Sequence, residues 1–372
     1  MIITKTPYRI SFFGGGTDYP AWYLKHGGAV LSSTIDKYCY LTCRHLPPFF
    51  IYRHKVVWSH IEIVSTIPEI LHPAVREGLQ WMGFDDDIGL EIHHQGDLPA
   101  RSGMGSSSSF AVGFLKCLSA LKGKMISKHE LALKAIELEQ HILGETVGSQ
   151  DQVAAAYGGF NIIQFSPSGD IRVQPLTVAP KRLSELEAHL MLFYTGTSRL
   201  AAQIGADVIN NMEVRHSVLQ RMREMVDEAI GILNGHTSMN DFGYLLDESW
   251  SMKRQLSGLI SNAQIDHIYQ RAIDAGALGG KLLGAGGSGF MLFFVPLVDQ
   301  EDVKAALPEY LHVPVQFEKE GCSVIHYNVD PQDRRCVEAE AKNLGLRATP
   351  RGHATQENLT RKVQLPTHSS SL

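Results

Sequence analysis

The chain has 372 residues, 44% of them hydrophobic, enough for two domains of ordinary size, each with its own core. A formal charge of −5 gives no electrostatic argument for nucleic acid or an anionic membrane as partner, so any basic site has to be local. No apolar run reaches the ~20 residues of a membrane-spanning helix. The opening Met1-Ile2-Ile3-Thr4-Lys5 lacks a secretory pattern, and Cys39, Cys43, Cys117, Cys322 and Cys336 have neither disulfide-framework nor zinc spacing. The expectation is a cytoplasmic protein with reduced thiols and no zinc.

Residues 1–11 read as a strand that breaks sharply at Phe12-Phe13-Gly14-Gly15-Gly16-Thr17-Asp18-Tyr19-Pro20. Consecutive glycines let a backbone come close to a ligand. The break is either a plain inter-strand loop or a site framed by Arg9 before it and Asp18 after it. Residues 29–44 alternate as two strands, 29–32 and 38–43, with Asp36 as a turn residue between them. Residues 51–66 continue as β-structure, 68–83 have helical spacing and 88–93 form a strand ending at His93-His94.

The stretch Asp97-Leu98-Pro99-Ala100-Arg101-Ser102-Gly103-Met104-Gly105-Ser106-Ser107-Ser108-Ser109 is followed at once by an apolar run at helical spacing, Phe110 to Leu118. Bare N–H groups at the start of a helix form an anion cradle, and phosphate is their natural guest. The alternative is a serine-rich loop that merely caps a buried helix. No Walker string occurs, so a mononucleotide P-loop is not expected.

Residues 127–143 read as a capped helix with Leu131, Ala135, Leu138 and Ile142 on its buried side and Glu137, Glu139 and His141 on the remaining arc. A polar loop from Gly144 hands on one acid, Asp151, which serves either helix capping or chemistry. Strands at 160–165 and 171–176 close the first half, and the turn chemistry near Pro175 and Pro180 puts a boundary at 178–186. Beyond it lie a buried strand, 189–194, that exits through Thr195-Gly196-Thr197-Ser198-Arg199, and helices over 201–208, 214–233, 242–259 and 265–275. In Gly279-Gly280-Lys281-Leu282-Leu283-Gly284-Ala285-Gly286-Gly287-Ser288-Gly289 three glycines meet the dinucleotide spacing, but a strand follows where that fingerprint needs a helix, so a Rossmann site is not expected. A helix at 302–307 and a strand at 323–327 would complete a small second domain. Residues 331–372 form a polar extension, weakly ordered over its last twenty or so residues.

Three of these stretches resemble, in order, the three motifs of the GHMP kinases, the small-molecule kinases named after galacto-, homoserine, mevalonate and phosphomevalonate kinase. The first is Pro7-Tyr8-Arg9 with Gly14-Gly15-Gly16-Thr17-Asp18-Tyr19, the second Pro99 to Ser108, the third Gly279 to Gly289. The resemblance implies an α/β (α+β) two-domain fold: residues 1–182 as an ATP-binding and catalytic domain like ribosomal protein S5 domain 2, and 183–330 as a ferredoxin-like C-terminal domain. It implies ATP, cradled by Pro99, Arg101, Ser102, Gly103, Met104, Gly105, Ser106, Ser107 and Ser108 and covered by Gly284, Gly286 and Gly287. It implies Mg²⁺ on Ser107 and Glu139, Asp151 as catalytic aspartate, and Arg9 beside the reacting hydroxyl, keeping that aspartate ionised. Gly15, Gly16, Thr17, Asp18, Arg199, Lys281 and Gly286 are the implied substrate contacts. Within the family the strings are most similar to the branch that phosphorylates the anomeric hydroxyl of D-glycero-D-manno-heptose 7-phosphate, Arg199 and Lys281 then meeting the 7-phosphate. The alternatives are an anomeric kinase of a neutral sugar, such as fucose or galactose, and a non-catalytic sugar or nucleotide sensor on the same fold.

Overall fold

In the computed structural model, described for residues 1–47, 49–87, 89–196 and 201–328, residues 1–46 and 52–329 make one compact unit. Its strands are β1 (Ile2–Phe13), β2 (Gly28–His45), β3 (His54–Val57), β4 (Ile61–Val64), β5 (Leu90–Gly96), β6 (Phe160–Phe165) and β7 (Ile171–Pro175), followed by β8 (Leu190–Tyr194), β9 (Gly279–Leu282), β10 (Phe290–Phe294), β11 (Leu311–His312), β12 (Phe317–Glu318) and β13 (Ser323–Tyr327). Its helices are α1 (Pro20–His26), α2 (Pro73–Trp81), α3 (Ser106–Leu121), α4 (Lys128–Ile136), α5 (Gln150–Tyr157) and α6 (Pro180–His189), then α7 (Ala201–Asn211), α8 (His216–Asn234), α9 (Asn240–Leu256), α10 (Ala263–Asp274) and α11 (Gln300–Ala306).

The hub is β2. Residues 29–44 are one continuous 18-residue strand, Gly28–His45, and not two strands around a turn. The reason lies in its neighbours. One half of β2 pairs with β6, the other with β5, and β1 runs antiparallel along both. At Asp36 the backbone is held by Gln316, whose carbonyl accepts from the Asp36 amide at 2.9 Å while the Asp36 carboxylate accepts from the Gln316 amide at 2.9 Å. The large sheet runs β13-β1-β2-β5-β3-β4, with β12 and β6 also on β2 and β7 on β6. Its register slips between Pro7 and Arg9 and again between Ser11 and Phe13, bulges of the kind that re-aim side chains at the end of a strand.

Helices α3 and α5 lie on this sheet and α4 packs on them, so that Ala111, Leu115, Leu131, Ala135 and Val153 share a core with Val30 and Ile163. The small sheet, β11-β8-β10-β9, is antiparallel. Alternate residues of its central strands go to two cores: Met191, Phe193, Met291 and Phe293 join Ile204, Leu219, Trp250 and Ile268 of the helices, whereas Leu190, Leu192, Phe290, Leu292 and Phe294 face the core shared with β1 and β2. A strand buried on both faces reads as an unbroken apolar run, which is how Leu190–Tyr194 and Phe290–Phe294 look in the sequence.

Three further expectations are corrected. The segment around Pro180 is the helix Pro180–His189, with the proline at its start, a position where a missing N–H costs nothing. The apolar spacing over 68–83 covers a 3₁₀ turn, Ile67–Glu69, and then α2, which Pro73 opens and the His72 side chain caps. The closing strand Ser323–Tyr327 pairs with β1 in the large sheet and so does not complete the small one. The polar extension 331–372, and Cys336 within it, lies outside the described residues; Cys39, Cys43, Cys117 and Cys322 are buried free thiols. Among the described residues no helix is long and apolar enough to cross a membrane.

Candidate active site

Helix α3 begins at Gly105, whose left-handed φ of 74° turns the chain so that Ser106 opens the helix with no side chain capping it. Its first amides therefore stay available to a guest, as an anion cradle requires. The helix stays in place because Phe114, Leu115 and Leu118 are fully buried and because the Ser109 hydroxyl donates to the Pro7 carbonyl at 3.0 Å. The middle of β1 thus runs beside the cradle, and Arg9, just past the bulge there, turns toward the cradle. Arg9 is 4% exposed. Its Nη1 donates to the Gly103 carbonyl at 2.8 Å, and its Nε and Nη2 donate to the two Asp151 carboxylate oxygens at 2.8 and 2.6 Å. A fork-to-carboxylate pair of this kind fixes geometry as well as charge. Asp151 sits in the first turn of α5, where its carboxylate faces Arg9.

A cavity of about 620 Å³ opens over this pair. Its wall takes Arg9, Ser11, Gly15, Gly16 and Asp18 from β1 and the loop after it, and Arg101, Gly103, Gly105, Ser106 and Ser107 from the cradle. Asp151 and its preceding loop, α7, Lys253, Lys281, Gly284 and Ala285 complete it. Asp18 is 1% exposed, and its carboxylate accepts from the amides of Gly16 at 2.9 Å and Gln150 at 3.3 Å. Burial first, then the nearby Asp151 charge, push its pKa up. The remaining predicted residues stand behind this wall. The buried Thr17 hydroxyl donates to the carbonyls of Gly14 at 2.7 Å and Ala29 at 3.1 Å. Ser102 donates to the Pro99 carbonyl at 2.6 Å, and Met104 is core. Gly286 and Gly287 pack on Ile260, the Gly287 amide donating to its carbonyl at 2.9 Å. Arg199 lies outside the described residues.

The two glycine loops touch backbone to backbone. A Cβ on Gly284, at φ +72°, would stand 2.4 Å from the Gly103 Cα, and one on Gly103 would stand 2.4 Å from the Leu283 carbonyl oxygen. No side chain fits such a contact, so the third motif closes directly onto the second.

Glu139 lies on the buried face of its helix and not on the polar arc expected from the sequence. Helix α4 passes into a π-helical turn, Glu137–Ile142, and Glu139 follows the buried Leu131, Ala132, Ala135 and Ile136 at the spacing of one helix face. There it is 1% exposed. Ser107 Oγ donates to one carboxylate oxygen at 2.6 Å, and Ser108 Oγ and Gln152 Nε2 both donate to the other at 2.6 Å. Burial raises its pKa to about 7 against the pull of those hydroxyls. No cation pairs with it among the described residues. One buried carboxylate and one serine hydroxyl at the foot of a phosphate cradle are the donor set that Mg²⁺ takes from protein when phosphate oxygens supply the rest, so these residues fit that ion.

Among the cavity residues not singled out from the sequence are Lys253, Ser11 and Gln150. Lys253 donates from α9 to the carbonyls of Leu282 at 2.8 Å and Gly284 at 2.5 Å; in the sequence it is one more polar residue on an amphipathic helix. Ser11 Oγ and Gln150 Oε1 are buried polar atoms without a hydrogen-bond partner among the described residues, and both residues line the cavity. No spacing rule marks either.

Comparison with known proteins gives one picture. The family model described as GHMP kinases N terminal domain matches residues 70–159, and that described as GHMP kinases C terminal matches residues 228–313. The chain is 32% identical over 344 residues to a D-glycero-alpha-D-manno-heptose 7-phosphate kinase of Campylobacter jejuni, covering 86% of this chain and 97% of that protein. It is 28% identical over 335 residues to a bifunctional fucokinase/GDP-fucose pyrophosphorylase of Arabidopsis thaliana, covering 84% of this chain and 32% of that longer protein. The crystal structure of a D-glycero-D-manno-heptose 1-phosphate kinase from Bacteroides thetaiotaomicron superposes with a TM-score of 0.71 at 23% identity, covering 88% of this chain and all of that one; at that identity the likeness establishes the fold.

Proposed function

The chain belongs to the GHMP kinase family as an ATP-dependent sugar kinase, and on that premise we propose that its acceptor is the anomeric hydroxyl of D-glycero-D-manno-heptose 7-phosphate. The observation that carries the phosphoryl-transfer chemistry is the Arg9–Asp151 fork at the mouth of the uncapped α3 cradle, inside the cavity that also holds Asp18. The acceptor is chosen on the relative's specificity and near-complete coverage.

In this reading the ATP phosphates lie on the amides of Gly103 to Ser107 with Gly284 closing over them, and Asp18 holds hydroxyls of the sugar. Asp151 takes the proton of the attacking hydroxyl as the oxygen bonds to the γ-phosphorus. The bond from that phosphorus to the bridging oxygen breaks, and ADP leaves with the electron pair. Arg9 orients Asp151, and such positioning supplies most of the catalysis in phosphoryl transfer. Ser107 and Glu139 would hold Mg²⁺, which when bound offsets the charge of the phosphates. The product, a 1,7-bisphosphate, suits nucleotide-activated heptose synthesis in the cytoplasm. Residues 1–182 would carry the ATP-binding and catalytic half and 183–330 the second half.

The test is ADP formation with heptose 7-phosphate, unphosphorylated heptose, fucose and galactose, with ³¹P NMR of the product. Heptose 7-phosphate should exceed the neutral sugars by roughly 10²-fold or more in kcat/KM, because a site built for a charged group rejects the analogue lacking it. A faster neutral sugar would move the assignment to the fucokinase or galactokinase type, the second reading that the Arabidopsis relative favours. A protein that binds sugar and nucleotide but makes no ADP would be a sensor, a role for which the intact Arg9–Asp151 fork has no evident use.

A further inference from the structure

Two lysines on the cavity wall have no counter-charge paired with them among the described residues. Lys281, on β9, is 3% exposed, and its ammonium donates to the Phe12 carbonyl at 2.7 Å. Lys253, on α9, donates to the carbonyls of Leu282 and Gly284. No described carboxylate makes an ion pair with either. An ammonium has three N–H donors, so one on Lys253 and two on Lys281 have no protein acceptor among the described residues.

The charges beside them are Arg9 and Asp151, and Asp151 already takes two bonds from Arg9. Asp18, also on this cavity, is satisfied by the amides of Gly16 and Gln150. Three basic side chains, Arg9, Lys253 and Lys281, therefore line the cavity beside an Asp151 carboxylate already committed to Arg9. Taking an ammonium out of water without a counter-charge is costly, and spare donors on a cavity wall next to the reacting carboxylate have an obvious complement in an anion. Backbone carbonyls hold both side chains in place, so the arrangement is prepared in advance of its ligand.

We infer that Lys253 and Lys281 together form a subsite for a phosphoryl dianion beside Asp151. The inference rests on the sugar-kinase reading. Two sources share this chemistry, the γ-phosphoryl group of the nucleotide and the phosphate of a phosphorylated acceptor. In either case the subsite adds Lys253 to the polar groups of the reaction. It also gives the third glycine loop a second role, since the Leu282 and Gly284 carbonyls hold the ammonium that meets the ligand.

The arrangement has a measurable signature. Burial pushes both lysines down, Lys281 to about 7 with Arg9 adding to the shift, and Lys253 well below its usual range with Lys281 and Arg9 adding to it. A dianion favours the charged forms, so near pH 8 its binding should draw protons onto the lysines. Isothermal titration calorimetry at pH 8 in two buffers of different ionisation enthalpy reads this uptake directly.

The probes are AMP-PNP against ADP, heptose 7-phosphate against heptose, and inorganic phosphate. The proteins are wild type, Lys281→Met, Lys253→Met and Lys253→Gln. The last keeps donors for the two carbonyls and loses only the charge, and thermal melting verifies its folding. Proton uptake with AMP-PNP but not ADP, lost in Lys281→Met and Lys253→Gln, supports the subsite with the γ-phosphoryl group as its guest. The same pattern with heptose 7-phosphate but not heptose supports it with the acceptor phosphate. Equal proton uptake and affinity in wild type and folded variants for all five probes would overturn it. Kinase assays run alongside keep the two readings apart: turnover with no lysine-dependent uptake sinks the subsite alone. Absence of ADP formation with every sugar sinks the kinase reading, and the binding arms still decide the subsite.

Discussion

Replacing Glu139 with glutamine should make the nucleotide-free protein more stable and the enzyme slower. Buried among Ser107, Ser108 and Gln152 with no described cation at hand, the Glu139 carboxyl has its pKa raised from 4.5 to about 7. The folded protein thus favours the neutral form. Below pH 4.5 the group is protonated folded and unfolded, and it costs nothing. As pH rises from 4.5 to 7 the unfolded chain releases the proton before the folded one does, so stability falls through that window, and above pH 7 the full penalty stands. At 1.36 kcal/mol per unit the penalty is about 3 kcal/mol. Glutamine has the same shape and no charge, and its hydroxyl neighbours can accept as well as donate. Melting curves of wild type and Glu139→Gln from pH 4 to pH 8, without nucleotide or metal, should nearly coincide at pH 4 and separate to roughly 5 °C in favour of the variant above pH 7. The same variant should lose Mg²⁺-dependent activity, because the carboxylate proposed to hold the ion is gone. A variant less stable than wild type at pH 8 would mean that Glu139 is balanced by a cation in the folded protein, and the argument for a metal position there would fail.

Three other outcomes follow from the geometry. Asp151→Asn should lower kcat by on the order of 10²–10⁴ with little change in ATP affinity, and steady-state kinetics that show unaltered turnover would remove the aspartate from the chemistry. Gly284→Ala forces a Cβ to 2.4 Å from the Gly103 Cα at a left-handed φ, so the two loops must part; kcat/KM for ATP should drop on the order of 10²-fold, the scale that a displacement of about 1 Å produces, and an unchanged value would mean that the third motif does not close the nucleotide site. Gly15 differs from its two neighbours: it has no positive φ, and a Cβ there would meet Gln150 and Ser11 at an ordinary 3.6 Å, so Gly15→Val should fold normally. The added bulk in the cavity should raise the sugar KM by about tenfold or more while leaving the KM for ATP alone; equal sugar KM values would place the acceptor elsewhere.

How far the sequence could be read follows from the range of the forces involved. The cradle at 101–107, the helix behind it, the bare glycines near 14 and 284, and the four long helices between 201 and 275 are local matters. Backbone freedom, helix starts and apolar spacing are written within a dozen residues of chain. The sequence by itself therefore determined those loops and helices and, through the resemblance of three motifs, the kind of chemistry. It did not determine the span of β2, since strand continuity at Ile35-Asp36-Lys37 depends on Gln316 far along the chain, nor the return of Ser323–Tyr327 to β1. Glu139 shows a different limit: its spacing from Ala135 and Ile136 puts it on the buried face, but only the fold brings Ser107 and Ser108 to its carboxylate. Lys253 had no local signal at all. A lysine on a helix becomes a site residue only when a glycine loop thirty residues later places two carbonyls around its ammonium. Such contacts between distant segments have their energy set by burial and three-dimensional approach, quantities that no window of sequence contains, so the tertiary structure alone decided where the charges meet.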